Sequence, residues 1–249
     1  MLVSVTGSKG FIGGRLTELL KESGHKVIEW DHHINEERDI EKWVPEGCDA
    51  VVHLAGYANV RKSIEDPEKY WYNNVELSKN LFHLALKAQK QLLGHFRIIY
   101  ASSSCAKKWW LSPYGTSKKA MELVAPPKSL GMRFTTVYGP NSRKDMLIGR
   151  IRDNKLKYVT EHIRDFIHVD DICSAIIKNL DNQLLSGVID VGTGKGIKIN
   201  ELAKMANVDV PLQDGDPCEA KENVANIESL LAIGWKPKYN IEDYIKEIL

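Results

Sequence analysis

The sequence predicts a doubly wound α/β fold, in which helices cover both faces of a parallel sheet. Short apolar segments alternate with segments of helical periodicity through the first half of the chain, and this alternation is typical of parallel sheets. A glycine-rich turn also separates the first apolar segment from the first helical one. In such folds the ligand lies at the carboxyl ends of the strands, so we expect the functional residues there.

The first half supplies most of the predicted sheet. Apolar runs predict strands over residues 2–6, 27–30, 50–54, 97–101 and 133–137. Apolar residues at helical spacing predict helices over 11–21 and 75–88. The helix that follows Tyr114 is expected to end at Pro126 and Pro127, because proline breaks helices.

The pattern is looser after residue 138. It predicts strands over 157–160 and 188–191 and helices over 146–152, 170–180, 200–206, 227–232 and 241–248. We therefore predict a core formed by residues 1–137 and 168–193. A smaller, interleaved substrate-binding part would comprise residues 138–167 and 194–249.

Composition narrows the function class. The 249 residues are 43% hydrophobic and 27% charged, with a net charge of +1, which is typical of a soluble globular protein and not of a nucleic-acid binder. The four cysteines lie far apart and form no CxxC pair, so we expect no metal site and no disulfide framework. No signal peptide or membrane span is expected, and reduced thiols indicate a cytoplasmic protein.

The glycine-rich turn has the spacing of a dinucleotide-binding loop. Gly7, Gly10 and Gly13 follow the first strand and open the first helix, with Phe11 and Ile12 between the last two. Such glycines permit a tight turn, close approach of a pyrophosphate and close packing of helix on sheet. The helix N-terminus then offers free N–H groups to the phosphates. The turn predicts a Rossmann nucleotide-binding site.

The ends of the second and third strands complete the predicted cofactor site. Asp31 can accept hydrogen bonds from both ribose hydroxyls of NAD, and its charge would repel the 2′-phosphate of NADP. NAD is therefore the expected cofactor. Asp39 and Ile40 would flank the adenine, although Asp39 could instead cap a helix. After the third strand, the small side chains in the run Leu54, Ala55 and Gly56 would let the pyrophosphate lie against backbone.

Tyr114 and Lys118 form a candidate catalytic pair. They are four residues apart and share one face of a helix. A nearby ammonium would lower the tyrosine pKa from about 10 toward neutrality. Such a tyrosine can take a proton from an alcohol while hydride leaves the same carbon, and the lysine can hold the nicotinamide ribose.

Nine segments carry a resemblance that runs from Val5 to Pro237. They are "VTGSKGFIGG", "DAVVHLAG", "DPEKYWYNNVELSKNL", "IIYASSS", "SPYGTSK", "VYGP", "RDFIHVDDI", "DVGTGKG" and "IGWKP". The chain resembles an extended short-chain dehydrogenase/reductase of the nucleotide-sugar epimerase/dehydratase family, and looks like a compact relative of UDP-glucose 4-epimerases. The resemblance implies a Rossmann domain, a tightly held NAD or NADP, a nucleotide-sugar substrate and a Ser/Thr-Tyr-Lys triad.

Individual roles follow from the same resemblance. Ser103 corresponds to the catalytic serine, with Ser104 as the alternative, and Asn74 corresponds to an asparagine on the nicotinamide side. Arg164 matches the arginine that grips the diphosphate of a UDP-, GDP- or dTDP-linked sugar, unless it forms a surface pair with Asp165. Thr136 stands where the family has a substrate-binding asparagine. The family also commonly forms homodimers.

Cys105 decides between the chemistries of the family. Sugar 4,6-dehydratases carry an Asp-Glu pair where this chain has Ser104 and Cys105, so dehydration is disfavoured. Simple epimerisation at sugar C4 needs only the Ser-Tyr-Lys set and is the favoured prediction. Alternatively, Cys105 moves a proton in a C3/C5 epimerase or epimerase/reductase, provided that its pKa falls below about 8.5.

Other features depart from the family. The "RPGD" motif is replaced by Asp216-Pro217-Cys218-Glu219, which lacks the arginine, and the loop between Ser104 and Tyr114 is short. In that loop, Trp109 and Trp110 would stack on the nucleotide, plug the site, or form a lid or an interface. These departures leave open a third alternative, a catalytically idle NAD-binding relative.

Overall fold

A computed structural model describes residues 1–91, 95–180 and 185–248. The strands in chain order are β1 (Leu2–Thr6), β2 (Lys26–Trp30), β3 (Ala50–His53), β4 (Arg97–Ser103), β5 (Leu130–Phe134), β6 (Thr136–Tyr138), β7 (Ile163–Arg164), β8 (Phe166–His168), β9 (Gly187–Val191), β10 (Ile197–Lys198) and β11 (Glu222–Asn223). The α-helices are α1 (Phe11–Glu22), α2 (Val60–Glu65), α3 (Pro67–Trp71), α4 (Ser78–Gln91), α5 (Pro113–Val124), α6 (Leu147–Arg152), α7 (Val169–Leu180), α8 (Ile199–Met205), α9 (Glu228–Ala232) and α10 (Ile241–Ile248).

A six-stranded parallel sheet with the order β2-β1-β3-β4-β5-β9 forms the centre of the fold. The predicted α/β class is therefore confirmed. The apolar side chains of β1, β3 and β4 are buried on both sides of the sheet, as expected for parallel strands covered by helices. One core cluster includes residues of α1 and α7, and a second includes residues of α4.

The rest of the chain forms smaller sheets beside the carboxyl ends of the central strands. β6 pairs with β8, and β7 lies between β10 and β11. All strands of the central sheet fall within residues 1–137 and 168–193, while the β10-β7-β11 sheet falls outside them. The division into two domains at these boundaries stays a prediction.

Several predicted elements differ in detail from the observed ones. The fifth strand begins three residues earlier than expected, at Leu130, and the apolar run continues after Thr135 as the separate strand β6. Residues 157–160 form no strand; Val159 makes only an isolated bridge to Leu212. A π-helix, Tyr72–Leu77, precedes α4 where one continuous helix was expected. α5 ends at Val124, just before the two prolines, as predicted.

Asp165 joins three segments of the smaller part. Its carboxylate is fully buried and accepts hydrogen bonds from Thr193 N (2.8 Å), Thr193 Oγ1 (2.7 Å), Gly194 N (2.9 Å) and Ala225 N (3.2 Å). Its own carbonyl accepts from Thr136 N at 2.9 Å. The predicted alternative, a surface pair of Asp165 with Arg164, is wrong, because Asp165 is buried and satisfied by these donors.

Candidate active site

A cavity of about 1470 Å³ lies between the carboxyl ends of the central strands and the smaller sheets. Its size exceeds the roughly 300–1,000 Å³ of a typical single-ligand pocket, and it can therefore hold a dinucleotide together with a second ligand. Most of the predicted site residues line it: Gly7, Gly10, Phe11, Ile12, Gly13, Leu54, Gly56, Ser103, Cys105, Tyr114, Lys118, Thr136 and Arg164.

The glycine loop fits a pyrophosphate. Gly7 has φ = +71°, and a Cβ there would lie 2.7 Å from Ala55 N, so only glycine suits this turn. A Cβ on Gly13 would collide with the Gly7 carbonyl. α1 begins after Gly10 with no side-chain cap, which leaves first-turn N–H groups free for an anion. The buried Ser8 hydroxyl also has no hydrogen-bond partner among the described residues.

Asp31 lies beside this loop at the end of β2 and is 8% exposed. Its carboxylate accepts hydrogen bonds from Lys9 N (2.9 Å), His33 N (3.0 Å) and His33 Nδ1 (2.7 Å). Burial by itself would raise the pKa of Asp31, but the bonds from His33 and Lys9 lower it overall. The group is thus an ionised acceptor that suits ribose hydroxyls and repels a phosphate, although it lies outside the cavity wall.

The exposed side chains of His32 and His33 also lie at this carboxylate. Ligand atoms of Asp31, His32 and His33 lie within 4.8 Å of one another and could share an ion. This is the one such group in the described ranges. Two exposed histidines on one short loop do not form a preorganised metal centre, and the expectation of no metal stays a prediction.

Four further predicted cofactor ligands do not line the cavity. Asp39 caps a 3₁₀ helix by accepting from Glu41 N at 3.0 Å, and Ile40 packs against the second core cluster. Ala55 N donates to Thr6 Oγ1. Asn74 is fully buried and bonds the backbone of Tyr57 and the Ser117 hydroxyl. Their geometry favours support of the neighbouring loops, and cofactor contact stays a prediction for all four.

Ser103, Tyr114 and Lys118 meet in the cavity. Ser103 ends β4, and Tyr114 lies in the first turn of α5, whose N-cap Ser112 accepts from Gly115 N at 3.1 Å. The Ser103 hydroxyl lies near the Tyr114 phenol and lowers its pKa, although burial raises that pKa by more. Lys118 lies one turn further along α5, and its Nζ donates to the carbonyl of Ala101 at 3.0 Å. All three side chains are buried.

The expected lowering of the Tyr114 pKa is wrong. Burial raises the pKa of Tyr114, and the negative charge of an ionised Cys105 would raise it further. Burial also lowers the pKa of Lys118 to about 8. Lys118 directs its ammonium to a backbone carbonyl, and desolvation outweighs what that charge contributes to the phenol.

The neighbouring hydroxyl and thiol are less suited to catalysis. Ser104 accepts a hydrogen bond from Asn223 Nδ2 at 2.6 Å, whereas Ser103 is the serine whose hydroxyl acts on the pKa of Tyr114. Burial raises the pKa of the Cys105 thiol by more than the nearby Ser103 hydroxyl and the charge of Arg164 lower it. The condition for a Cys105 thiolate, a pKa below the ordinary value, is therefore not met.

The short loop before Tyr114 is a kinked 3₁₀ helix, Ser104–Leu111. It lies directly on α5, since a Cβ on Gly115 would be 3.0 Å from the carbonyls of Cys105 and Trp109. Lys107 Nζ fastens it to β9 of the central sheet by donating to Asp190 Oδ2 at 2.7 Å, and to the smaller part by donating to the carbonyl of Val224 at 3.1 Å. The short loop thus forms a compact wall of the cavity that packs directly on α5.

The two tryptophans of this loop face away from the cavity. Trp109 and Trp110 are 43% and 62% exposed, and neither lines the cavity. Trp110 instead borders a shallow surface groove together with Trp71. Stacking on the nucleotide or plugging of the site is thereby excluded for both in this arrangement, while an interface role stays a prediction.

Arg164 reaches the cavity from β7. Its guanidinium donates to the carbonyls of Ile163 and Ala220 at 3.0 and 2.8 Å, contacts His162 Nδ1 at 3.1 Å and pairs with Glu219 at 3.2 Å. Arg61 of α2 also pairs with Glu219. Sequence reasoning missed Arg61 and the acidic partner of Arg164, because 158 positions of chain separate Arg61 from Glu219 and no local motif links them.

A family model described as "NAD dependent epimerase/dehydratase family" matches residues 3–108 and 110–192. The chain belongs to this family. The predicted recognition and the NAD dependence that the family description states are confirmed. The family covers both epimerases and dehydratases, so membership leaves the reaction open.

Similar proteins agree with this membership. The chain is 29% identical to Protein CapI of Staphylococcus aureus, over 100% of this chain and 97% of that protein. It is 28% identical to a UDP-glucuronate 4-epimerase of Thermodesulfobacterium geofontis (strain OPF15), over 97% and 93% of the two chains. A solved structure, MoeE5 in complex with UDP-glucose and NAD, superposes with a TM-score of 0.86 at 25% identity, covering 99% and 96%.

Within the described ranges, we find no helix that combines the length and the apolar character needed to cross a membrane. The exposed Leu123 and Val124 at the end of α5 are compatible with a helix-mediated homodimer, and the dimer stays a prediction.

Proposed function

We propose that this member of the family is an NAD-dependent nucleotide-sugar epimerase that transiently oxidises sugar C4. The observation that carries the proposal is the position of Ser103, Tyr114 and Lys118 in the same cavity as the glycine loop. The 4-epimerase among the similar proteins supports the same reaction.

The residues of the cofactor side would hold NAD at one end of the cavity. The glycine loop and the N-terminus of α1 would bind the pyrophosphate. Asp31 would accept hydrogen bonds from the adenine-ribose hydroxyls once His33 has moved aside. The side chain of His33 is 68% exposed, so it has room to move. Lys118 would bond the nicotinamide ribose. Bound NAD supplies the hydride acceptor and a positively charged ring.

Tyr114 would take the proton from the C4 hydroxyl as hydride leaves C4. Because burial raises the pKa of Tyr114, a cation must come close to the phenol before it acts as a base. Lys118 and the oxidised nicotinamide are the candidates for that cation. Ser103 would donate to the developing oxyanion at C4 and fix the direction of the phenol. Return of hydride to the other face of the keto sugar then inverts C4.

The two alternatives receive less support. A C3/C5 epimerase would need a Cys105 thiolate, and burial raises the pKa of that thiol. A catalytically idle relative would not need a serine and a tyrosine buried together in the cavity beside a buried lysine.

The proposal can be tested with a panel of UDP-, GDP- and dTDP-linked hexoses, incubated with the protein and NAD in D₂O. Inversion at C4 without deuterium in the product is the expected result, because the hydride returns from the cofactor. Deuterium at C3 or C5 would favour the cysteine route. Absence of turnover with every sugar, while NAD binds, would favour the idle alternative.

A further inference from the structure

The carboxylate of Glu219 lies between two arginines in the cavity. Its Oε1 is 3.2 Å from Arg61 Nη2, and its Oε2 is 3.2 Å from Arg164 Nη2. His162 Nδ1 is 4.0 Å from the same Oε2. All four residues line the cavity. Glu219 thus bridges two guanidinium groups with one oxygen for each, and this arrangement is here called the Glu219 bridge.

The bridge joins opposite walls of the cavity. Arg61 lies on α2, which follows the third strand of the central sheet, whereas Arg164 lies on β7 of the smaller part. Asp216, in the same segment as Glu219, approaches Arg61 Nε at 3.6 Å. Where relatives are expected to carry a phosphate-binding arginine, this chain has a segment with two carboxylates.

These carboxylates present an electrostatic conflict for a diphosphate substrate. An anion that approaches Arg164 meets the negative charge of Glu219 at hydrogen-bond distance from the same guanidinium, and like charges in a partly desolvated cleft repel. A phosphate group and a carboxylate group accept the same kind of charge-assisted hydrogen bond from arginine. A nucleoside diphosphate can therefore use both guanidinium groups once Glu219 has moved away.

We infer that Glu219 is a built-in counter-ion that occupies the diphosphate subsite and is displaced by substrate, and that Arg61 is a second diphosphate ligand. This inference rests on the proposed nucleotide-sugar substrate. Arg61, which lies on the other wall of the cavity, supplies the positive charge that the acidic segment lacks. Its side chain is 45% exposed and that of Glu219 is 25% exposed, so both have room to rearrange.

The test is equilibrium binding of UDP, GDP and dTDP to the protein saturated with NAD, by calorimetry. Glu219→Gln removes the competing charge and keeps the shape, so it should tighten binding of the preferred nucleotide by about twofold to fivefold, the upper part of the range for a partly exposed ion pair. Arg61→Ala should weaken binding by about tenfold or more, since a charged phosphate contact is lost. In the Arg61→Ala background, the gain from Glu219→Gln should shrink.

Glu65→Gln is the matched control. It removes an equal charge from the same cavity, and neither Arg61 nor Arg164 pairs with Glu65 in the described part of the chain. Its affinity should equal that of the wild type. If Glu219 only orients Arg164, Glu219→Gln will weaken binding or leave it unchanged, and the inference is overturned. If the wild type binds none of the three nucleotides, the proposed function fails and the inference with it.

Discussion

Replacement of Tyr114 by phenylalanine tests the proposed base with minimal change to the fold. The substitution removes one hydroxyl from a side chain that is 7% exposed and keeps the ring, which packs edge-on against Tyr70 at a centroid distance of 6.3 Å. The Ser103 hydroxyl still accepts from Cys105 N at 3.2 Å. The loss in the free energy of unfolding should therefore be about 1 kcal/mol, the value of one hydrogen bond.

The effect on turnover should be much larger than the effect on stability. General base catalysis contributes about 10²- to 10⁴-fold, which corresponds to roughly 3–5 kcal/mol of transition-state stabilisation. The assay follows interconversion of the nucleotide sugar by chromatography, with NAD and nucleotide binding measured separately. We expect kcat to fall by at least about a hundredfold while both affinities are retained.

Tyr70→Phe is the matched control, since Tyr70 lines the same cavity and contacts the ring of Tyr114. Its turnover should stay close to that of the wild type. A Tyr114→Phe protein that keeps wild-type kcat would refute the assignment of Tyr114 as the base.

Three further predictions concern the site and its support. Lys118 has a folded-state pKa of about 8, below its unfolded value, so the unfolded state binds more protons between these values and stability rises with pH from about 8 to 10. Urea titrations of the wild type should show this rise in the free energy of unfolding, at most about 1.4 kcal/mol per pH unit, and Lys118→Met should not show it. If the plots of unfolding free energy against pH are parallel for the two proteins, the prediction is contradicted. Arg97→Met should cost about 3 kcal/mol of unfolding free energy by chemical denaturation, because the buried guanidinium donates to three backbone carbonyls; a loss below about 1 kcal/mol would show that water replaces them. Cys105→Ala should retain C4 epimerisation within about threefold, the effect of a packing change alone, and a much larger fall in kcat would restore the thiol route.

The parts of the site that short motifs encode could be predicted from the sequence. The turn at Gly7 follows from steric requirements within a few residues of chain, and the spacing of Tyr114 and Lys118 follows from the helical repeat. The alternation of apolar and helical segments likewise predicted the strands of the central sheet, because burial on both faces demands it.

Features that depend on packing could not be predicted. The direction of the Tyr114 pKa shift depends on how deeply the phenol is buried, which no spacing records. The Glu219 bridge joins residues of different walls, and only the fold brings Arg61 to the acidic segment. Similarly, a strand is predicted over residues 157–160, but these residues find no neighbouring strand beyond the bridge at Val159.

The fully buried Asp165 has a consequence for biosynthesis. Its carboxylate binds Thr193, Gly194 and Ala225, which follow it by 28, 29 and 60 positions. On the ribosome, the central sheet can therefore close once β9 has emerged, while this carboxylate still waits for the last of its donors. Until residue 225 is released, this carboxylate lacks one of the hydrogen-bond donors that its burial requires. A chain truncated between residues 194 and 225 should thus hold a folded central sheet beside an open, protease-sensitive smaller part, and the final joining of the two should be the slow step of folding.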